Sequence, residues 1–350
     1  MSSPIRVMIA EPDEDALGIL RRVIARDRRF EPVGAATTGQ QVLEELETLE
    51  PDVLFLALEI GDPSGIDVLT RIGEGSREVD VVVTSRSAES RMTMRALAGG
   101  ALEFVSRASG RSEGSTYEER LDLALRNLAV SVAKRRQSRP VERVESVPVE
   151  TSSLADAFDL VLIGISTGGP AALEVVLREI AGIRLPPVVI VQHMGRAFTS
   201  QLAAMLSRNA GRPVVEAEQD MALEPGSIVL APGGFHTELC RRRPGDRRYR
   251  LGVVEDEPVN GCRPSVDVMW RSVAANFDGD VLAFLMTGMG EDGSQGLRAL
   301  RDKGAYCIAQ DEATSVVWGM PGAAVRSGLV DEVLSLEEIA VTMRRGIQKS

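Results

Sequence analysis

The segment Val161-Leu-Ile-Gly-Ile-Ser166-Thr-Gly-Gly-Pro170 is an apolar run ending in a serine, followed by two glycines and a proline able to open a helix. A strand that turns tightly into a helix leaves Ser166 exposed at the sheet edge. Gly164 to Gly168 also has the G-x-S-x-G spacing, which presents a nucleophile above a sheet with helix-start amides beside a developing oxyanion. The same glycine-rich turn suits a phosphate bound at a helix N-terminus equally well. A hydroxyl attacks carbonyls only when a base takes its proton, so a partner base decides between the two readings. The chain has two histidines, His193 and His236. His193 ends the apolar run Val188-Val-Ile-Val-Gln, whereas His236 follows Ala231-Pro-Gly-Gly-Phe in a loop. In α/β proteins the carboxyl edge of the sheet is where sites are built, which favours His193.

A carboxylate that fixes the imidazole tautomer would complete the set. The apolar run Val281–Met286 leads into Thr287-Gly-Met-Gly-Glu-Asp292-Gly. Asp292 is the candidate, Glu291 its competitor, and a helix N-cap the ordinary alternative job for that aspartate. Each of the three candidates is expected just beyond a strand, on one rim. The chain order Ser, His, Asp differs from the Ser, Asp, His order of the α/β-hydrolases, so another family is implied.

Positioning these groups takes a parallel sheet. From Ile5 to about Lys134, short apolar runs alternate with amphipathic stretches in roughly five βα repeats, the second strand being the least clear. Continuously apolar strands separated by helices imply a doubly wound sheet covered on both faces. Residues 135–156 read RRQSRPVERVESVPVETSSLAD, whose prolines and polar residues break any helical period, and are expected to be a linker. A second alternating series opens at Asp159–Ile165. The expected division is thus a domain at 1–134, a linker at 135–156 and a second α/β domain at 157–350, its sheet mainly parallel.

The chain has 350 residues, 44% of them hydrophobic and 26% charged, which is the composition of a globular protein. No apolar run approaches the ~20 residues of a membrane span, and the N-terminus enters a strand without a secretory leader, so a cytoplasmic protein without membrane insertion is expected. A net charge of −11 disfavours nucleic acid as a partner. The three cysteines, Cys240, Cys262 and Cys307, include no CxxC pair, which suggests neither a disulfide framework nor a metal site. The arginine cluster from Cys240 to Arg250 reads as a solvated hairpin with Pro244-Gly245 at its tip, an acidic-helix dock being the alternative.

Six segments, IGISTGGPAAL, VQHMGRAFT, LAPGGFH, CRPSVD, LMTGMGEDG and IAQDEATSVVWGMP, together resemble the CheB-type chemotaxis protein-glutamate methylesterases from about Asp159 to Ile347. The preceding domain resembles the CheY-like (flavodoxin-like) receiver those enzymes carry. The resemblance implies a triad of Ser166, His193 and Asp292, with Thr167 as an oxyanion donor through its amide and Met289 lining the site. It implies as substrate a methylated glutamate on a methyl-accepting chemoreceptor, with glutamine deamidation as a second activity. A chemosensory histidine kinase or other regulatory protein is a further implied partner. The ester chemistry needs no cofactor.

The receiver departs from its family's pattern. Aligning Pro51-Asp-Val-Leu-Phe-Leu-Ala57 puts Ala57 where the phosphorylated aspartate belongs, Glu11-Pro12 where an acidic pair belongs, and Arg107 where a lysine belongs; only Thr84 fits. Asp62 lies five residues beyond Ala57 and Asp52 opens the strand, so neither is a ready substitute, nor is Asp13. The expectation is a pseudo-receiver without Asp phosphorylation. In the family the unphosphorylated receiver occludes the hydrolase site, so either a binding partner relieves occlusion here or the enzyme is permanently open. A non-catalytic regulatory scaffold is the second functional hypothesis, and a phosphate- or nucleotide-binding module the third.

Overall fold

The computed structural model describes residues 3–75, 79–86, 91–107, 116–137, 158–240 and 248–345. The chain divides into two compact units, Met1–Arg139 and Pro140–Ser350.

The first unit alternates β1 (Ile5–Ala10), α1 (Glu14–Arg26), β2 (Phe30–Ala36), α2 (Gly39–Leu49), β3 (Val53–Ala57), α3 (Gly65–Glu74), β4 (Asp80–Ser85), α4 (Arg91–Ala98), β5 (Glu103–Ser106) and α5 (Tyr117–Gln137). Its parallel sheet has the order β2-β1-β3-β4-β5, doubly wound as the alternating pattern predicts. All five residues of β3 are buried, the mark of a strand covered on both faces. Helices start where short polar side chains cap them: Asp13 accepts from the Ala16 amide, and Ser64 and Asp67 form a reciprocal capping box. Helix α5 continues to Gln137, so the first three residues of the expected linker are helical. The rest of that linker, from 138, lies outside the described residues.

The second unit comprises β6 (Leu160–Ile165), α6 (Gly169–Arg178), β7 (Val188–Gln192), α7 (Arg196–Ala210), β8 (Val214–Glu216), β9 (Met221–Ala222), β10 (Ile228–Leu230), β11 (His236–Cys240), β12 (Arg250–Val254), α8 (Val266–Asn276), β13 (Val281–Leu285), α9 (Ser294–Arg301), β14 (Tyr306–Gln310), α10 (Met320–Arg326), β15 (Glu332–Leu334) and α11 (Leu336–Arg345). Seven parallel strands run β15-β14-β13-β6-β7-β10-β8, beside a small antiparallel sheet β11-β12-β9. The strands flanking the arginine cluster pair from Cys240 to Arg250, while residues 241–247 lie outside the described residues.

One face of the large sheet is sealed by α8, whose Trp270 is fully buried with Leu162, Ala283 and Leu285. The close approach uses Gly164, where a Cβ would meet Val266 Cγ1 at 2.6 Å and Trp270 Cζ2 at 2.9 Å. The first glycine of the serine motif therefore admits α8, and α8 in turn brings its N-terminus to the sheet's carboxyl edge.

Candidate active site

Ser166, His193 and Met286-Thr287-Gly288 follow three adjacent strands, β6, β7 and β13. Backbone pairing carries on past the strand ends: His193 N–H donates to Ile165 O at 3.1 Å, and Ser166 N–H to Thr287 O at 2.9 Å. Gln192, buried beneath them, donates from Nε2 to the carbonyls of Ser166 (2.9 Å) and His193 (3.2 Å), which ties the serine and histidine turns together. Gly168 at φ +79° makes the turn into α6, a conformation that favours glycine.

The imidazole of His193 meets Asp292 through Nε2, 2.8 Å from Oδ2. Asp292 is buried and accepts from four further donors: Val266 N–H at 2.7 Å, Ser265 Oγ at 2.8 Å, Asn260 Nδ2 at 3.0 Å and Asp267 N–H at 3.3 Å. Two of these amides belong to the first turn of α8, so the aspartate lies at the positive end of a neighbouring helix instead of capping its own, whose N-cap is Gly293. Burial penalises the carboxylate, yet its bonds to His193, Asn260 and Ser265 win and hold its pKa down to about 2. For His193 burial again opposes the charge, while Asp292 and Cys262 raise its pKa to about 9. Glu291, the competing carboxylate, is exposed.

His236 has a different role. Its Nδ1 accepts from Ser265 N–H at 3.2 Å, so Nε2 carries the proton given to Glu257 O at 3.0 Å. With both ring nitrogens engaged, this buried histidine braces the Ser265 loop that holds Asp292.

With Nε2 on Asp292, Nδ1 is the nitrogen left for base chemistry. Its neighbour at 3.5 Å is Cys262 Sγ, and no hydrogen bond joins it to Ser166 Oγ among the described residues. Ser166 and Thr167 are half-buried, and the Thr167 amide donates to no protein acceptor among the described residues, which leaves it available to an oxyanion. Thr287 Oγ1 donates to Thr167 O at 2.9 Å, fixing that peptide. Met289 is also half-buried and follows Gly288, where a Cβ would meet Met320 Sδ at 2.4 Å and Ser166 Cβ at 2.7 Å. The arrangement can take a proton at His193 Nδ1 and stabilise the resulting imidazolium through Asp292, the demand of acyl transfer from an activated serine. His193, Cys262 and Asp292 also bring three possible metal donors within 4.8 Å of one another. Both oxygens of Asp292 are already committed to five donors, so hydrogen bonding uses that carboxylate more fully than ligation would.

Residues 161–343 match the family model for CheB methylesterase, and residues 7–116 that for the response regulator receiver domain. The chain belongs to the CheB methylesterase family. A curated protein-glutamate methylesterase/protein-glutamine glutaminase from Nocardioides sp. is 34% identical to it over 99% of this chain and 96% of that protein. The protein of the same name from Halalkalibacterium halodurans is 35% identical over 99% of each. The crystal structure of the Thermotoga maritima CheB methylesterase catalytic domain is 32% identical and has a TM-score of 0.51, covering 54% of this chain and 98% of that one.

In this CheB-family chain the receiver site is filled by an internal ion cluster. Arg107 Nη1 lies 2.6 Å from Glu11 Oε1 and Nη2 lies 2.6 Å from Glu59 Oε2, with the guanidinium buried. Glu59 also accepts from Ser85 Oγ at 2.6 Å and the Arg86 amide at 2.8 Å. Ala57 and Thr84 are buried and opposite each other in the β3–β4 register. Glu59, two residues past Ala57, was not anticipated from sequence, nor were Gln192, Asn260, Ser265 and Cys262 in the hydrolase site. The signal for the latter is their place in or beside two of the resembling segments: Gln192 stands next to His193 in VQHMGRAFT, Cys262 and Ser265 lie in CRPSVD, and Asn260 comes two residues before it.

Proposed function

We propose that this chain hydrolyses glutamate methyl esters on a methyl-accepting chemoreceptor, with Ser166 as nucleophile, His193 as base and Asp292 as the group that orients and stabilises the imidazole. The observation that carries this reading is the 2.8 Å contact of His193 Nε2 with a buried, fivefold-bonded Asp292, which leaves Nδ1 as the ring nitrogen not engaged by the carboxylate. When substrate binds, Ser166 Oγ gives its proton to His193 Nδ1 and attacks the ester carbonyl. Catalytic hydrogen bonds commonly tighten only in the substrate complex, so the separated resting serine fits this step. The carbonyl oxygen, now negative, takes the Thr167 N–H, while Met289 lines the pocket. His193 then protonates departing methanol, and water repeats the sequence to free the carboxylate and Ser166. Replacing methanol with ammonia as leaving group gives the glutaminase reaction named for the relatives.

Regulation in this reading does not run through phosphorylation of the receiver. Ala57 offers no carboxylate, and the Arg107 guanidinium already ion-pairs with both Glu11 and Glu59, where an incoming divalent cation would have to compete with a buried cation. A chemosensory kinase or other regulator would then act by binding, and the hydrolase would operate in the cytoplasm. Methanol release from methylated receptor, lost in Ser166→Ala, tests the hydrolase. Incubation with a small phosphodonor and intact-mass measurement tests the receiver, with no added phosphate expected.

A further inference from the structure

Cys262 is the residue closest in function to the site that neither the family reading nor the proposed mechanism uses. Its Sγ lies 3.5 Å from His193 Nδ1, on the nitrogen the mechanism assigns to the serine, and 3.7 Å from Asn260 O. The thiol is one member of a contiguous cluster, since the same imidazole reaches Asp292 from its other nitrogen. The base and its orienting carboxylate therefore stand beside a second nucleophile, Cys262, in addition to the Ser166 that the proposed mechanism uses. The turn that delivers the sulfur is built for that position: Asn260 and Gly261 both adopt positive φ, Val259 and Cys262 exchange backbone hydrogen bonds, and Asn260 Nδ2 is spent on Asp267 and Asp292. The other cysteines are placed differently, Cys240 in β11 and Cys307 fully buried in β14, where burial and Asp331 push its thiol up to about 12.

We propose that Cys262 is an activity-controlling reactive thiol, competing with Ser166 for His193 Nδ1 and removing that base from service when electrophiles or peroxide modify it. The inference rests on the hydrolase reading for its effect on activity, though not for the reactivity itself. His193 Nδ1 takes the thiol proton, leaving a thiolate beside an imidazolium. With an alkyl halide the sulfur forms a bond to carbon, the carbon–halogen bond breaks and halide leaves with the electron pair, the proton passing from imidazole to water. With hydrogen peroxide the sulfur forms a bond to one oxygen and the O–O bond breaks. The departing hydroxide takes the imidazolium proton to become water, sulfur being oxidised by two electrons to sulfenic acid. Either product places bulk against His193 Nδ1, the nitrogen the serine needs. Alkylation is permanent, whereas a thiol reductant returns the sulfenic acid to the thiol.

The experiment treats the full-length protein with iodoacetamide at neutral pH, follows each cysteine by peptide mass mapping, and measures ester hydrolysis on the same samples. Cys262 is expected to alkylate first, and His193→Ala or His193→Gln to slow its labelling by about tenfold, because the adjacent base that takes the thiol proton is gone. Wild-type activity is expected to fall in step with Cys262 labelling, while the treated-to-untreated ratio of Cys262→Ala stays near one. Equal labelling of Cys262 and Cys240, unchanged labelling in both His193 variants, or equal inactivation of Cys262→Ala overturns the proposal. Untreated protein that releases no methanol contradicts the hydrolase reading, and the labelling comparison still decides the thiol.

Discussion

At the residue scale the account turns on how one imidazole divides its two nitrogens. His193 is held near pKa 9 by Asp292 and Cys262 against its burial, so it is a free base only at alkaline pH. Accordingly kcat/KM for ester hydrolysis rises with pH and levels off above about 9, and Cys262→Ala moves that rise to lower pH because one of the raising partners is gone; a profile flat from neutral pH upward contradicts the assignment. Asp292→Asn keeps the shape and loses the charge. By analogy with serine-protease triads it lowers kcat by about 10⁴-fold, read by initial rates on methylated receptor. Much of this site was legible in sequence, since serine, histidine and aspartate each follow an apolar run. The division of labour around His193 was not. That Nδ1 meets a cysteine, and that His236 holds the Ser265 loop, depend on where the loop between β12 and α8 folds back, and no local pattern encodes that return.

At the element scale the site is a meeting of strand ends with a helix N-terminus. Helix α8 supplies two amides to Asp292, so the packing of its Trp270 on Gly164 sets where the carboxylate sits. Because the folded pKa of Asp292 lies below its ordinary 3.8, its bonds stabilise the protein above that value and are lost as pH falls toward about 2. The melting temperature therefore drops across that interval, and Asp292→Asn flattens the drop. Gly288→Ala would drive a methyl into Met320 Sδ and Ser166 Cβ, at a cost of about 1–3 kcal/mol for an overpacked site. Chemical denaturation gives that cost, and loss of ester hydrolysis beyond it reports displacement of Ser166. Alternating apolar and amphipathic runs made both parallel sheets legible. The small sheet β11-β12-β9 was less so, because β9 is two residues long and acquires its identity only by pairing with β12.

At the scale of the whole molecule, a receiver fold accompanies a hydrolase fold, and an ion cluster of Glu11, Glu59 and Arg107 lies at the carboxyl ends of the receiver strands. Arg107 shares its guanidinium between Glu11 and Glu59, and burial pushes the Glu11 carboxyl up in spite of it. Arg107→Ala leaves the buried Glu11 carboxyl without its ion partner and costs about 3–5 kcal/mol, the exposed Glu59 adding little, measured by denaturation of the full chain. Sequence alone motivates the proposal that Ala57 replaces a phosphate acceptor. The role of Glu59 is not legible there, because its partner Arg107 lies 48 residues away and only the β3 and β5 ends bring them together. The most direct test of the account is methanol release from methylated chemoreceptor by the full-length chain beside its Ser166→Ala variant, without any phosphodonor. The account predicts release by the parent, none above background by the variant, and no change when phosphodonor is added. Equal release by both proteins would contradict the assignment of Ser166, and release that appears only with phosphodonor would contradict the loss of phosphorylation control.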